Sequence, residues 1–467
     1  MKRLLYLFCI LTLQLQAQQQ KPNVVFILAD DLGIGDLGAY GQTKIKTPHL
    51  DKLAATGMRF TNFYAGTSVC APSRSSLMTG QHTGHTYIRG NKEIEPEGQH
   101  ALADSVRTFA MMMQENGYKT GAFGKWGLGM VGTSGEPIKK GFDEFYGYIC
   151  QRQSHRYYPT HLWHNSEKIL LDGNDLTNKV VYAPELIQMQ TLRFIKENKD
   201  QPFFLFVPTV LPHAELAGPE DEFYKMYEQA FEEIPHKGED YGPKATVAGY
   251  TSVAKPRATY AAMVSRLDHY VGQIVQQLDE LGLMENTIIM FSSDNGAHRE
   301  GGADPVFFNS TSGLKGFKRD LYEGGIRTPL LVNWKGKITP NTQNNHLSAF
   351  WDLFPTFQEL IADTSTENTD GISFLPTVLR KGKQRKHDYL YWEFHESGGR
   401  QAVRYKNYKL IKLNSKDTKK YYYELYDLAK DAQETKPITN AKIFKKMEAM
   451  MREAHQESDI FPLLGKD

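Results

Sequence analysis

The stretch Ser68-Val69-Cys70-Ala71-Pro72-Ser73-Arg74-Ser75-Ser76-Leu77-Met78-Thr79-Gly80 combines a reactive side chain with the start and stop signals of a short helix. Pro72 suits a first helical turn, where its missing N–H is not needed, and Gly80 suits the stop. The spacing puts Cys70 beside free backbone N–H groups at the positive end of a helix dipole, a place that attracts anions. Arg74 adds a permanent charge and a planar fork of donors suited to a tetrahedral oxyanion. These residues could form a nucleophile beside an anion hole. Cysteine chemistry offers a second reading. Beyond the N-terminal apolar run the chain carries Cys70 and Cys150, which in an oxidising compartment could pair as a disulfide.

Carboxylates recur in a pattern of their own. Asp30-Asp31-Leu32-Gly33 follows the apolar run Asn23–Ala29, and Asp294-Asn295-Gly296 follows Thr287–Phe291 and two serines. Such pairs serve as turn or cap residues, or as hard oxygen ligands for a divalent cation. Lys125 follows the short run Thr120–Phe123, and His213 follows Phe203–Val207.

These polar residues need a frame. Each apolar run is continuous and β-rich, as in strands buried on both faces of a parallel sheet. Ser105–Asn116 and Ala258–Leu281 have helical periodicity, and both are followed by glycine. Alternating strands and helices predict an α/β fold, a doubly wound, mostly parallel sheet sandwiched by helices. Ligands of such sheets gather beyond the carboxyl ends of the strands. Asp30, Asp31, Lys125, His213, Asp294 and Asn295 would then converge on one edge. Past the polar stretch Thr364–Asp370, short alternating runs between Tyr389 and Leu428 and a charged amphipathic segment near Asn440–His455 predict a small antiparallel sheet with one helix. The expected organisation is a catalytic α/β domain over 20–363 and a C-terminal α+β subdomain over 370–467.

The 467-residue chain is 40% hydrophobic and 23% charged with a formal net charge of +1, which argues against a nucleic-acid surface. Lys2 and Arg3 precede an apolar run that ends near Leu13, with Leu15-Gln16-Ala17 as a cleavage site. Residues 1–17 therefore read as a signal peptide, since the run is short of the roughly 20 residues that span a bilayer. An exported protein, periplasmic or secreted and with no membrane span, is expected.

Cys70-Ala71-Pro72-Ser73-Arg74 followed by Leu77-Met78-Thr79-Gly80 resembles the signature of the type I, formylglycine-dependent sulfatases, in particular bacterial glycan sulfatases similar to arylsulfatase A. Asp30-Asp31-Leu32-Gly33, Gly124-Lys125-Trp126, Pro212-His213, Asp294-Asn295-Gly296 and Lys318 through Gly325 are similar to the family's other active-site segments, in the same order. The resemblance implies an alkaline-phosphatase-like fold and hydrolysis of sulfate esters. It implies that a formylglycine-generating maturation enzyme converts Cys70 to formylglycine, whose gem-diol attacks sulfur. It also implies a metal held by Asp30, Asp31, Asp294, Asn295 and modified Cys70; an all-oxygen set suits calcium, with magnesium as the alternative. Arg74, Lys125 and Lys318 would surround the sulfate, and His213 and Lys318 would protonate the leaving oxygen. One position departs from the pattern. Gly127 stands where many sulfatases have a histidine that contacts the formylglycine, and His298 and His155 are candidate replacements.

Two segments rich in aromatics, cations and amides, Gln151–Trp163 and Tyr391–Arg400, could stack on sugar faces and bind hydroxyls. They make His155, Arg156, His161, Trp392, His395 and Arg400 candidate substrate-binding residues. Their similarity to segments of glycan sulfatases implies a sulfated carbohydrate substrate, for example a galactose or N-acetylgalactosamine sulfate. Two alternatives remain open at this point: a phosphodiester or phosphonate ester hydrolase of the same superfamily, and a non-catalytic glycan-binding homologue.

Overall fold

The computed structural model describes residues 21–465 except 96 and 241–248. The expected signal peptide, 1–17, lies outside the described residues. Among the described residues, no helix is long and apolar enough to cross a membrane.

The central sheet has ten strands. In chain order they are β1 (Asn23–Ala29), β2 (Met58–Phe60), β3 (Lys119–Lys125), β4 (Glu144–Tyr148), β5 (His161–His164), β6 (Glu167–Leu170), β7 (Phe203–Pro208), β8 (Thr287–Ser293), β9 (Leu330–Asn333) and β10 (Thr342–Asn344). Across the sheet the order is β10-β2-β9-β8-β1-β7-β3-β4-β5-β6. The middle, from β8 to β4, is parallel, and antiparallel pairings occur on both flanks.

All seven residues of β1 are buried, which is why its sequence is a continuous apolar run rather than an alternating one. Alternation survives in which face each side chain serves. Val25, Ile27 and Ala29 pack beneath helices α1 (Pro48–Ala55), α4 (Ala183–Glu197) and α5 (Pro256–Glu280). Val24, Phe26 and Leu28 face the opposite layer, with α2 (Cys70–Thr79) and α3 (Phe109–Glu115). Each valine, leucine, isoleucine or phenylalanine so buried contributes roughly 1.5–3 kcal/mol of transfer free energy. Helix α3 is shorter than the periodicity predicts. Thr108 caps it, its hydroxyl oxygen accepting from Met111 N at 3.2 Å, so residues 105–108 stay outside.

The C-terminal sheet runs in order through β11 (Leu390–Phe394), β12 (Arg400–Tyr405), β13 (Tyr408–Leu413) and β14 (Tyr422–Asp427). One face, with Tyr391, Val403, Leu410 and Leu425, is covered by Met447 and Met451 of α6 (Ala441–Ala454). The other face shares a core with Tyr64, Val69, Leu321, Ile326 and Trp351 of the main body. The small sheet therefore braces the segment that leads into α2.

Candidate active site

Parallel register creates the site. Val25 of β1 sits between Leu205 of β7 and Ile289 of β8, so the three strands end together. Beyond the ends, Asp30 N donates to Leu211 O at 3.1 Å and Asp294 N donates to Ala29 O at 3.0 Å. Asp31 N donates to Asp294 Oδ1 at 3.1 Å. Three carboxylates from two strands are thus gathered at the sheet edge, all buried.

Helix α2 points its first turn at them. Cys70 is 3% exposed, with Sγ 3.4 Å from Asp30 Oδ1 and 4.0 Å from Asp31 Oδ1. Gly80 ends the helix in the left-handed conformation, as its position in the motif implies. Cys70 and Cys150 are both free thiols, so no disulfide joins them. Burial, together with the charge of Asp30, pushes the Cys70 thiol well above its ordinary value, and the unmodified side chain is a protonated thiol.

The cations are distributed by role. Arg74 commits its fork: Nε and Nη2 donate to Asp294 Oδ2 at 3.0 and 2.9 Å, and Nη1 donates to the Lys125 carbonyl at 2.7 Å. It fixes the position of two other site residues at once. Lys125, fully buried at the end of β3, donates to Asp30 Oδ2 at 2.6 Å. Burial alone would raise the pKa of Asp30, but Lys125, His213, Arg74 and Lys318 outweigh it and hold the carboxyl far below the usual range.

Lys318 donates to Asp31 Oδ2 at 2.8 Å, to Glu300 Oε2 at 2.9 Å and to His213 Nε2 at 3.0 Å. His213 Nδ1 bonds the Ala214 carbonyl, which assigns the ring proton to Nδ1 and the lone pair to Nε2. Burial and the Lys318 charge lower this histidine to about 4. Tyr157 pins the segment, its hydroxyl meeting the carbonyls of Val210 and His213 at 2.9 and 2.8 Å.

The side chains fit a hard divalent cation. Asn295 is fully buried, and its Nδ2 donates to Asp31 Oδ1 at 2.7 Å and to Gly296 O at 2.9 Å. Its Oδ1 has no partner among the described residues, although a buried amide oxygen left unpaired costs about 1–3 kcal/mol. A lone pair so placed, next to three carboxylates, is what an all-oxygen metal site needs. Ligand atoms of Asp30, Asp31, Cys70 and His213 also lie within 4.8 Å of one another.

The candidate substrate-binding residues separate. His155 joins the site, its ring stacked on His213 at 4.6 Å, while His298 stacks at 5.9 Å. Both flank His213, and neither is placed as a replacement at Gly127. That space is taken by Gln151: a Cβ at Gly127 would lie 2.0 Å from Gln151 Nε2, and Gly127 has φ +75°. The Gln151 amide nitrogen is buried and without a partner among the described residues.

The expectation for Trp392 is corrected. It is 0% exposed, packs against Tyr64 and Trp351 at 5.3 and 5.7 Å, and donates its indole N–H to Ala65 O. No face is left for a sugar; its aromatic bulk serves the core between the two sheets. Arg156 is buried against Glu215 and Gly249 O, and His161 bonds Glu97 and Thr160 through its two ring nitrogens. His395 is buried on Glu393, with Nδ1 unpaired among the described residues, and Arg400 bonds Asp320. These four are not gathered around Cys70 by any of these contacts. Sequence reasoning missed Glu300, Tyr250 and Gln151. Glu300 stands six residues past Asp294 in a glycine-flanked loop, and only its fold-back onto Lys318 marks it.

Comparison with known proteins gives one family. The sulfatase family model matches residues 22–363, and a model described as N-sulphoglucosamine sulphohydrolase, C-terminal, matches 315–459. An N-acetylgalactosamine-6-O-sulfatase of Bacteroides thetaiotaomicron is 29% identical over 430 residues, covering 78% of this chain and 77% of the relative. An arylsulfatase of Hemicentrotus pulcherrimus is 31% identical over 430 residues, covering 86% and 70%. The crystal structure of Ps i-CgsB, solved also in complex with k-i-k-neocarrahexaose, superposes with a TM-score of 0.75 at 28% identity, covering 93% of this chain and 92% of that one.

Proposed function

The chain belongs to the sulfatase family and is a sulfuric ester hydrolase, and from that premise we propose that it removes sulfate from a sulfated glycan through formylglycine made at Cys70. The observation that supports the reading most directly is the Cys70 side chain at the N-terminus of α2, 3.4 Å from Asp30 and enclosed by buried carboxylates and lysines. A galactose or N-acetylgalactosamine sulfate is the substrate class we favour. The activity named for the Bacteroides relative and the oligosaccharide bound by the structural neighbour support a carbohydrate.

Conversion of Cys70 would replace a protonated, buried thiol with an oxygen nucleophile, avoiding a sulfur–sulfur adduct. Asp30, Asp31, Asp294 and Asn295 would hold a divalent cation, calcium or else magnesium, that neutralises the sulfate. The remaining chemistry belongs to the chain's own side chains. Lys125 uses one of its three donors on Asp30 and lies beside the nucleophile, where a sulfate oxygen would meet it. Arg74 keeps Asp294 and Lys125 in place.

Lys318 carries the proton for the leaving group, and His213 contributes a neutral ring that helps orient it. One hydroxyl oxygen of the hydrated aldehyde would bond to sulfur as the bridging S–O bond breaks, and the electron pair of the broken bond stays on the alcohol oxygen. That oxygen takes a proton from Lys318 Nζ, and the amine is reprotonated from solvent. Loss of the proton from the second hydroxyl would later expel the sulfate and reform the aldehyde. Export to the periplasm or medium, and the boundary between a 20–363 catalytic domain and a 370–467 subdomain, belong to the same proposal.

Two measurements test it on protein produced with a formylglycine-generating enzyme. The Cys70 peptide should lose a sulfur and two hydrogens and gain an oxygen by mass. Paired sulfate and phosphate esters of one alcohol should show preferred sulfate release. Faster turnover of the phosphodiester, or an intact cysteine in fully active enzyme, would sink the reading.

A further inference from the structure

We propose that Glu300 is a positioning residue for leaving-group protonation: it fixes the Lys318 ammonium between Asp31 and His213. The inference rests on the role given to Lys318 above and concerns what makes that role geometrically possible. A lysine ends in a point charge on a flexible four-carbon stem, so a single carboxylate sets its distance without setting its place. Here the ammonium is held by two carboxylates, Asp31 at 2.8 Å and Glu300 at 2.9 Å, and its third donor, 3.0 Å from the neutral His213 Nε2, is the one the leaving oxygen would take over. Asp31 is also a candidate metal ligand, so its hold on Lys318 is shared with another task. Glu300 is not among the four residues assigned to the cation above, although its ligand atom lies within 4.8 Å of those of Asp31 and His298.

Glu300 is itself immobilised. Its Oε2 accepts from Tyr250 OH at 3.0 Å, its Oε1 pairs with Arg319 Nη1, and its backbone N donates to His298 Nδ1 at 3.2 Å. His298 Nε2 reaches the carbonyl of Pro212 at 3.3 Å, tying the Glu300 loop to the segment that carries His213. The carboxylate is 15% exposed at the mouth of the site and lies 4.0 Å from His213 Nε2, so it holds Lys318 without bonding the ring. It touches neither Cys70 nor the Asp30 and Asp294 carboxylates through any hydrogen bond or ion pair among the described residues.

Leaving groups separate a positioning role from a merely structural one. A nitrophenyl sulfate releases an acidic phenol that needs little protonation, whereas an unactivated alkyl or sugar sulfate releases a basic alkoxide that needs it. In formylglycine-modified enzyme, Glu300→Gln should lower kcat on the unactivated ester about 100-fold, the lower range of general-acid contributions, and on nitrophenyl sulfate less than about 5-fold. KM should change little for either. Glu300→Asp, which keeps the charge on a shorter arm, should fall between. Tyr250→Phe loosens Glu300 and should show the same split with smaller amplitude, which keeps the test available if Glu300→Gln does not fold. An equal loss on both esters, or no loss on either, would overturn the positioning role. Wild-type enzyme that releases sulfate from neither ester would instead overturn the functional reading, and this inference with it.

Discussion

Gln151 occupies the space that a side chain at Gly127 would enter, its amide nitrogen 2.0 Å from the position of a Cβ there. The space beside Gly127 is therefore filled by another side chain rather than left as a gap. Glycine is also required by the backbone, because φ is +75°.

Restoring a histidine at this point should fail. Gly127→His is expected to cost about 2–4 kcal/mol, combining left-handed strain with overpacking against Gln151. The double variant Gly127→His/Gln151→Gly should recover only the overpacking part. Chemical denaturation of the three proteins checks this, and a single histidine variant as stable as wild type would contradict it.

Cys70→Ala should abolish sulfate release while the protein stays folded. The side chain is small and buried, and the loss of its sulfur removes little packing. Circular dichroism and a sulfate assay on the same preparation give the answer. Substantial residual turnover would remove Cys70 as the nucleophile's precursor.

Chelation should lower both activity and thermal stability, and calcium should restore both. A ligand at 100 times its Kd stabilises by about 2.7 kcal/mol, so the melting temperature should rise with calcium. Asn295→Leu removes the unpaired amide oxygen and should blunt that rise. A variant with the wild-type calcium response would exclude Asn295 as a ligand.

The C-terminal sheet carries a pH-dependent contribution. Glu393 is buried; burial raises its pKa, but hydrogen bonds from His395 and His455 outweigh this and bring it down to about 2. A depressed carboxyl stabilises above its unfolded value of 4.5 and loses that contribution as pH falls toward 2. Burial lowers His455, but its bond to Glu393 raises it overall, so its contribution is complete below 6.5 and fades as pH rises through the raised value. Both are fully present between pH 4.5 and 6.5. Wild type should exceed Glu393→Gln by about 3 kcal/mol in that window. Unfolding free energies measured from acid to neutral pH should show the difference shrinking toward about pH 3. A difference independent of pH would be the contrary result.

Sequence alone determined the frame and most of the polar constellation. Local rules suffice for this: continuous apolar runs specify buried parallel strands, and in such a sheet the residues just past each run share one edge. Asp30, Asp31, Lys125, His213, Asp294 and Asn295 follow from that, and Cys70 follows from a helix start written in Pro72 and Gly80. The four strands of the C-terminal sheet are likewise legible from their alternation.

Tertiary structure decided which chemistry each residue can do. Arg74 reads as an oxyanion fork, and only the fold shows that three of its five N–H donors hold Asp294 and the Lys125 carbonyl. Trp392 reads as a sugar platform and is a core residue, because aromatic composition does not encode which face of a strand is covered. Glu300 carries no local signal, and Gln151 reads only as the start of an amide-rich segment, with nothing local to pair it with Gly127. Their roles come from contacts 18 residues away in one case and on a neighbouring loop in the other, and such long-range proximity exists only once the chain has folded.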